Sequence, residues 1–394
     1  MPTWWRRWGC AMSDTATVQH ALERFLPPSG LDVQRQRVCS HLLACRTEAM
    51  GGMVLRCSDC DHQQPHYFGC RDRHCPQCQG RAIRQWAERQ QANILPVRYY
   101  HVVFTLPHRL NGWIQLHPEV IHRLLFQSAW HTVRTFGRDP KRLGGEMGMS
   151  AVLHTWGQNL SQHVHLHCLV PGGALADDGS WRSARSNYLF PVRALSRHFR
   201  GHMVSALRAA ATTGELHRVT RPGEVDDQLD ALMATEWVVY SKDCLEHTPS
   251  VVNYLARYTR RIAISNARIL AVDDAHVTLR YKDYRDRDRH KQLVLEGTEF
   301  VRRFLLHVRP KGLMRVRHYG FLANRCRRRR LAQIRRVLAV IDEQAKTVPS
   351  SDEAPVTYMC PHCRKPTLRV IGQITAQRTM RRRLCNHKAH RYRP

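Results

Sequence analysis

The chain has 394 residues, and its 62 lysine and arginine side chains against 32 acidic ones give a formal net charge of +30. This length allows two or three domains with cores of their own, and so large a positive charge is typical of proteins that bind nucleic acid. No apolar run approaches the roughly 20 residues that cross a bilayer, and the basic, aromatic residues 1–8 lack the apolar core of a signal peptide. We therefore expect a cytoplasmic protein without a membrane partner.

The 14 cysteines of such a protein are expected to be reduced and to bind metal. After residues 14–50, whose apolar spacing predicts helix, come two CxxC pairs that are fourteen residues apart: Cys57 with Cys60, and Cys75 with Cys78. This spacing is close to that of structural zinc sites in which two pairs of thiolates close a tetrahedron. It predicts that these four cysteines bind one zinc ion. A second zinc ion or an alternative ligand set stays open because three more candidates lie nearby: Cys45, Cys70 and His74.

Several arginines surround these cysteines, and they leave two interpretations of the module over residues 41–95 equally open. The first is a zinc domain that contacts DNA, and the second is a purely structural clip. The arginines are Arg71, Arg73, Arg81 and Arg84.

Strands and helices alternate in the next part of the chain, and this order indicates an α+β domain. Runs rich in β-branched and aromatic residues predict strands, and apolar residues at three- and four-residue spacing predict helices. The predicted elements are a strand at 97–107, a helix at 117–136, strands at 150–156 and 159–170, helices within 190–235 with a turn at 221–223, a strand at 237–240, a hairpin at 269–282 and a helix at 297–307.

The strand that ends at Pro171 carries three histidines, His163, His165 and His167, which alternate with aliphatic residues. Side chains of a strand switch faces at every residue, so all three imidazoles point to one side of the sheet. Imidazole is the commonest metal ligand in proteins, and the pattern predicts a metal site. The alternative is a half-buried strand whose polar histidines face water.

The complete ligand set of this site stays open. His163 lies about 13 Å from His167 by strand rise, so a residue from another element would complete the set better. An imidazole-rich set by itself favours zinc or a softer transition metal. The candidates for the third ligand are His101, His154, Gln158 and Asn253.

Residues 249–262 predict a second chemical element, a helix that begins with Thr248 as cap and Pro249 at its first position. Tyr258 lies within the apolar stripe of this helix and Tyr254 at its edge, one turn apart. Tyr258 could equally be a core aromatic. Two arginines border the tyrosine side and could bind phosphates: Arg257 and Arg261.

Arginines also dominate the last part of the chain. A run at 325–330, with two more at 335 and 336, favours phosphate contact over a merely solvated face. We assign DNA binding to Arg327, Arg328, Arg329 and Arg330. Beyond a linker at 348–355, the basic tail contains a further set of candidate zinc ligands: Cys360, Cys363, Cys385 and His387. The alternative is a disordered basic tail.

Taken in order, the motifs closely resemble the two-tyrosine, HUH-type rolling-circle transposases of the insertion-sequence ninety-one type. The resemblance covers roughly residues 40 to 330. It is specific because several motifs occur in the same order: HCPQCQ at 74–79, VFTLP at 103–107, HTWGQNL at 154–160, HVHLHCLVPGG at 163–173, YLARYTR at 254–260, EFVRRF at 299–304, HVRP at 307–310 and RHYG at 317–320.

The resemblance implies an HUH-type endonuclease domain, a mainly antiparallel sheet with flanking helices, over residues 96–345. A helix and extension (1–40) and the zinc module precede it, and a linker with a basic tail (346–394) follows. It further implies that His165 and His167 hold Mg²⁺ or Mn²⁺ and that Tyr254 or Tyr258 attacks DNA to form a 5′-phosphotyrosine. The partners would be single-stranded ends of a mobile element and target DNA, near the nucleoid of a bacterium.

Two other functions use part of the same residues. A replication initiator or relaxase would perform the same chemistry for another element. A zinc-dependent DNA-binding protein without catalysis would have no need of His165 and His167 together with two tyrosines, and we therefore favour the transposase.

Overall fold

A computed structural model of the chain describes residues 16–79, 93–184, 188–243, 263–283, 286–339 and 358–376. Several residues of interest lie outside these ranges: Tyr254, Tyr258, Arg257, Arg261, Asn253, Cys385 and His387. Within the described ranges, no helix combines the length and the apolar character that crossing a bilayer requires.

The described helices are, in chain order, α1 (Val18–Phe25), α2 (Val33–Ala44), α3 (Asn111–Leu116), α4 (Pro118–Arg138), α5 (Val192–Thr212), α6 (Glu224–Ala234), α7 (Gly297–Leu306) and α8 (Arg327–Val337). The strands are β1 (Gly52–Cys57), β2 (Gln63–Tyr67), β3 (Tyr99–Thr105), β4 (Gly148–Trp156), β5 (Gln162–Pro171), β6 (Gly173–Leu175), β7 (Trp181–Ser183), β8 (Val239–Asp243), β9 (Ile269–Val272), β10 (His276–Asp283), β11 (Arg289–Glu296), β12 (Val316–Gly320) and β13 (Leu368–Ile374). The α+β prediction is confirmed.

The histidine strand β5 lies at the centre of a five-stranded sheet with the order β12-β4-β5-β3-β8. Every neighbouring pair in this sheet is antiparallel. Across β4 and β5, His154 lies opposite His165, and Val152 lies opposite His167. On the other side of β5, Val103 lies opposite His167. The register therefore places histidines of two strands on one face of the sheet.

The opposite face of this sheet carries the main core. Tyr100 and Phe104 of β3 alternate with the residues that share the histidine face, and so do Val164 and Leu166 of β5; all four are buried. They form one apolar cluster with α4, α5 and α6, which cover this face. Phe104 packs against Phe199 of α5 at 4.9 Å between ring centroids. The helices thus exclude water from one face of the sheet, whereas the histidines on the other face of β5 are half-buried.

The N-terminal helices pack against the far part of the chain rather than forming a separate unit. Asp32 caps α2 by accepting a hydrogen bond from the backbone N–H of Arg35. Apolar residues of α1 and α2 join the buried side chains of α7 and the β9–β11 sheet in a second core that contains Leu22, Leu42 and Phe300. The helical prediction for residues 14–50 is correct in kind, although the segment divides into two helices.

The C-terminal segment departs most from the expected arrangement. Instead of a self-contained tail module, β13 pairs antiparallel with β1, so that Leu368 lies opposite Cys57 and Ile374 opposite Gly52. Together with β2 they form a three-stranded sheet in the order β13-β1-β2. Segments about 300 residues apart in the chain therefore build one small sheet.

A buried histidine under the main sheet gives the stability a defined pH dependence. His122 of α4 is 3% exposed, and neither ring nitrogen has a hydrogen-bond partner. Burial, and then the charges of Arg309 and Arg317, lower its pKa to about 3. The unfolded chain, with a histidine pKa of about 6.5, therefore takes up the proton first as the pH falls. The stability that this group contributes is complete at pH values above the unfolded-state pKa, and it is lost as the pH falls toward the folded-state pKa of about 3.

We therefore expect His122→Leu to gain about 2 kcal/mol in unfolding free energy relative to the wild type between pH 7 and pH 5, at about 1.4 kcal/mol per pH unit for one proton. Urea unfolding followed by tryptophan fluorescence at both pH values measures this difference. The stability that other titrating groups lose in acid is the same in both proteins, so it cancels in the difference between them. A difference between variant and wild type that does not change with pH would show that His122 is protonated, or reaches water, in the folded state.

Candidate metal centre and cysteine clusters

Three histidines converge on the open face of the main sheet. The ring nitrogens of His154, His165 and His167 all lie within 4.8 Å of one another. His154 comes from β4 and the other two from β5, and the direct pairing of His154 with His165 brings the strands' side chains together. His154 is buried, while His165 and His167 are half-buried. This arrangement could hold one metal ion at the surface of the sheet.

Hydrogen bonds fix which nitrogen of each β5 imidazole faces the cluster. His165 Nδ1 lies 2.9 Å from the backbone carbonyl oxygen of His163, and a carbonyl only accepts, so Nδ1–H donates and Nε2 keeps its lone pair. His167 Nδ1 lies 2.8 Å from Nε2 of His101, and one of these two ring nitrogens donates to the other. The Nε2 atoms of His165 and His167 then face each other at 3.1 Å. Partners behind ligating histidines are typical of metal sites.

The protonation of these groups suits metal binding at neutral pH. Burial, followed by the nearby imidazole of His163, lowers the pKa of His165 to about 3. Burial also lowers the pKa of His101 to about 4. Both rings are therefore neutral at pH 7, so a metal ion would displace no proton from His165.

His163, one of the predicted ligands, is not part of this cluster. Although it shares the face of β5, its Nδ1 lies 3.0 Å from Nε2 of His108. The strand rise carries it beyond reach of His167, and His154 of the neighbouring strand takes the third place. His101 lies behind His167 rather than in the cluster. The Gln158 carbonyl accepts a hydrogen bond from Arg268, and Gln158 is not among the three.

A cation that the sequence did not single out lies beside the cluster. The Arg315 guanidinium lies 5.0 Å from the ring centroid of Trp156, and Trp156 stacks on His154 at 4.8 Å. The charge of Arg315 also contributes to lowering the pKa of His165. Its position two residues before the RHYG motif gave only a weak signal, because its proximity depends on the pairing of β12 with β4.

The cysteines form two clusters that differ from the predicted pairing. Cys57 and Cys60 do not meet Cys75 and Cys78. The first cluster joins the end of α2 to the loop after β2 and contains Cys45, Cys70, Cys75 and Cys78. The second joins the end of β1 to the C-terminal segment and contains Cys57, Cys60, Cys360 and Cys363. The prediction of one site from two adjacent CxxC pairs is therefore wrong, because α2 brings Cys45 and the β13 pairing brings the tail to the cysteines instead.

The first cluster has the dimensions of a thiolate zinc site. Its sulfur atoms are separated by 3.5 Å between Cys45 and Cys78, by 3.5 Å between Cys45 and Cys75, and by 3.9 Å between Cys70 and Cys78. Four sulfurs about 2.3 Å from zinc in a tetrahedron lie about 3.8 Å apart. All four cysteines are free, and their contacts fit this group.

His74, another candidate ligand, supports this loop from outside the cluster. Its Nδ1 lies 2.9 Å from Asp72 Oδ1, while His41 Nδ1 lies 3.0 Å from Asp72 Oδ2. Burial raises the pKa of Asp72, but its hydrogen bonds with His74 and His41 outweigh this and hold the pKa well below its usual range. Asp72 thus bridges the loop to α2 as a carboxylate.

The predicted DNA-binding arginines of α8 differ in their surroundings. Arg328 and Arg329 are exposed, whereas Arg330 lies 3.3 Å from the Glu146 carboxylate and donates to Gln333. Arg327 is half-buried beside His318 and contributes to lowering the pKa of that histidine. The two exposed arginines are the better placed for phosphate contact.

The hydrogen bond behind His167 has a measurable consequence. We expect His101→Phe to weaken binding of Mn²⁺ by about 10- to 100-fold, as loss of a partner behind a metal-ligating histidine does in other proteins, because His167 can then turn or present its N–H to the cluster. Isothermal titration with Mn²⁺ measures the affinity. His108→Phe is the matched control, since His108 contacts His163 instead, and equal weakening by both changes would contradict the role of His101.

The comparisons with known proteins agree with these features. Residues 148–330 match a family model described as "Putative transposase", and residues 17–106 match a transposase zinc-binding domain of the IS91 type. A protein of Sinorhizobium fredii named "Putative transposase y4qJ" is 42% identical over 337 residues, covering 84% of each chain. The transposase for insertion sequence element IS801 of Pseudomonas savastanoi pv. phaseolicola is 27% identical over 328 residues, 78% of this chain and 75% of its own. No solved structure matches.

The fold, the clusters and these matches define a DNA-processing enzyme with an N-terminal zinc-binding domain. The first cysteine cluster lies wholly within the matched zinc-binding domain. More particularly, the chain belongs to the family of IS91-type transposases.

Proposed function

We propose that this transposase nicks and rejoins single-stranded DNA at the ends of its mobile element, with Tyr254 or Tyr258 as the nucleophile and a divalent cation held by His154, His165 and His167. The phenolic oxygen forms a bond to the phosphorus as the bond from phosphorus to the 3′-oxygen breaks. The phenol gives up its proton, and the 3′-oxygen leaves as a hydroxyl. The 5′-phosphotyrosine keeps the phosphodiester energy for rejoining.

The converging Nε2 atoms carry this proposal. Nδ1 of His165 donates to a carbonyl, so the Nε2 lone pair of His165 faces Nε2 of His167 at 3.1 Å. A cation bound by both nitrogens would take the place of a proton shared between them, with His101 behind His167. Nitrogen ligands about 2.1 Å from a metal and at roughly right angles to each other are about 3 Å apart. The contacts of this chain therefore support metal binding at the cluster.

When bound, the cation would polarise the scissile phosphate and stabilise the charge that develops on it. Three imidazoles suit zinc, copper, iron or nickel better than magnesium or manganese. Magnesium or manganese is proposed from the family resemblance. Comparing Mn²⁺ with Mg²⁺ in the assays below therefore tests which cation the cluster uses.

The chain segment with the tyrosines begins close to this cluster. β8 is the neighbour of β3 in the main sheet, and the Tyr240 ring lies 6.2 Å from the ring of His101. Tyr254 follows the end of β8 at Asp243 by eleven residues, and eleven residues reach at most about 35–40 Å. Both tyrosines are thus connected to the sheet by a short stretch of chain.

Cationic side chains near the cluster would position the DNA without reading its sequence. Arg315 lies next to the histidines, and its charge acts on His165. Arg328 and Arg329 extend the basic surface on α8. The net charge of +30 predicts that DNA binding weakens steeply as salt is raised.

The function is tested with oligonucleotides from the ends of the protein's own element, labelled at either the 5′ or the 3′ end, in Mg²⁺ or Mn²⁺. We expect a covalent protein–DNA adduct that retains the 3′ label, and a released fragment whose 3′-hydroxyl a polymerase can extend. The same sequence as a duplex should react far less. Cleavage that releases both fragments without attached protein would contradict a tyrosine nucleophile and indicate hydrolysis.

A further inference from the structure

Two of the four residues in the second cysteine cluster lie outside the matched zinc-binding domain. Cys57 and Cys60 belong to the N-terminal module, while Cys360 and Cys363 are 300 or more residues further along the chain. We infer that these four cysteines bind a second zinc ion, which fastens the C-terminal segment to the N-terminal module. The inference does not depend on the proposed DNA chemistry.

The sulfur positions fit a tetrahedral site. The sulfur of Cys57 lies 3.6 Å from that of Cys363, and the sulfur of Cys60 lies 3.7 Å from that of Cys360. The four sulfur atoms all lie within 4.8 Å of one another, and all four cysteines are free. These separations match the edge of about 3.8 Å of a zinc tetrathiolate. A four-sulfur tetrahedral set selects zinc or iron over harder cations.

The backbone around these cysteines repeats one local conformation. Asp61, after Cys60, has φ 56°, and Arg364, after Cys363, has φ 59°. Residues other than glycine rarely adopt positive φ, and such positions mark places where the chain must turn sharply. The first cluster contains the same feature after two of its cysteines, at Arg46 with φ 57° and Arg71 with φ 56°. Both clusters thus use the same turn to wrap the backbone around sulfur.

Besides the backbone pairing of β1 with β13, side-chain contacts join the two CxxC turns. The Cys57 sulfur lies 3.0 Å from the Thr367 hydroxyl, and Lys365 donates to the Asp59 carboxylate at 2.8 Å on the surface. Among the residues that the structure describes, the buried apolar cluster beneath them contains Leu55, Leu368, Cys57 and Cys360, and four partly buried residues pack against it: Met53, Cys60, Tyr358 and Cys363. A core this small does not stabilise a unit by itself, and such units usually rely on a metal or disulfides.

The consequence of the second zinc site concerns the whole chain. Zinc between residues 57 and 363 closes a loop that contains the entire sheet with the histidine cluster. The last described residue, Ala376, lies against Gly51, so the arginine-rich residues that follow it start from the N-terminal module. The zinc ion would therefore anchor to the module the point at which the basic tail begins.

The zinc content of the purified full-length chain tests this inference. In a His165→Ala/His167→Ala background, which removes ligands of the histidine cluster, elemental analysis should give two zinc ions per chain, and one after the further change Cys57→Ser or the double change Cys360→Ser with Cys363→Ser. Cys326→Ser, outside both cysteine clusters, is the matched control and should keep two. One zinc in this background, or two after the double cysteine change, would overturn the inference, and so would iron in place of zinc. A zinc loss in Cys385→Ser equal to that in Cys360→Ser would overturn this ligand set.

A second experiment reports on the fastening itself and needs no cysteine change. A protease cleavage site introduced within residues 348–355 of the full chain allows the C-terminal fragment to be cut free. We expect the fragment to remain with the rest of the protein on size-exclusion chromatography, and to separate once a zinc chelator is added. Separation before the chelator is added, or retention after zinc has been fully removed, would contradict a zinc fastening.

Discussion

His167→Ala is expected to lower the rate of single-strand cleavage by at least about 10³-fold while leaving DNA binding nearly unchanged. The change removes one of two nitrogens that face each other at 3.1 Å and leaves His101 without its partner at 2.8 Å. A catalytic cation typically contributes several kcal/mol of charge stabilisation, and each 1.4 kcal/mol corresponds to about tenfold in rate. Phosphate contacts of the basic surface persist in the variant.

His163→Ala is the matched control for this loss. It lies on the same face of the same strand, and its ring lies 4.9 Å from that of His165, but its Nδ1 contacts His108 and it is not one of the three clustered histidines. Its backbone carbonyl, which orients His165, survives the change. We expect at most a few-fold effect on cleavage. Rates measured under single-turnover conditions, with DNA binding measured in parallel, compare the two variants. A comparable loss in both would mean that the histidines support the strand and not the reaction.

Cys75→Ser is expected to remove one zinc ion and to unfold the N-terminal module. Cys75 is 1% exposed, belongs to the first cysteine cluster and is also part of the apolar core under α1 and α2. Zinc binding by structural sites contributes about 10–16 kcal/mol in zinc-finger peptides. Loss of one thiolate should therefore lower the thermal midpoint and expose α1 and α2 to proteolysis.

Cys39→Ser separates the loss of zinc from the loss of a buried thiol. Cys39 lies on α2 in the same core with 1% exposure, but it is in neither cluster. Burial raises the pKa of its thiol to about 12, which makes it an inert apolar group. Cys39→Ser should keep the full zinc content and lose only about 1–3 kcal/mol from burying a hydroxyl. Zinc loss in Cys39→Ser, or full zinc content in Cys75→Ser, would contradict the assignment of the first cluster.

The histidine face of β5 could be predicted from sequence because it depends only on the period of a strand. The third position of the cluster could not, since it depends on the register of β4 against β5, which places His154 and not His163 beside His165. His101 was named as a ligand candidate, and its real place behind His167 follows from the pairing of β3 with β5. Sequence periodicity identifies the strand, whereas the neighbours of its side chains on other strands depend on how the strands pair in the sheet.

The cysteine pairing failed for a related reason. Two CxxC pairs that are close in sequence were expected to share an ion, yet Cys57 and Cys60 meet cysteines 300 residues away, because β13 pairs with β1. Nothing in the local spacing indicates such a long-range strand pairing. The sequence identifies Cys360 and Cys363 as candidate metal ligands, but it does not identify Cys57 and Cys60 as the ligands that join them.

The measurement that tests the central claim most directly is identification of the amino acid joined to DNA. After reaction with single-stranded element ends in Mn²⁺, the adduct is digested with nuclease and trypsin and analysed by mass spectrometry. Trypsin separates the two tyrosines, since Tyr254 falls in the peptide 243–257 and Tyr258 in the peptide 258–260. We predict a nucleotide linked through its 5′-phosphate to one or both of these peptides, and none in His167→Ala. A nucleotide linked to any other residue, or active cleavage without a linked peptide, would contradict the proposed mechanism.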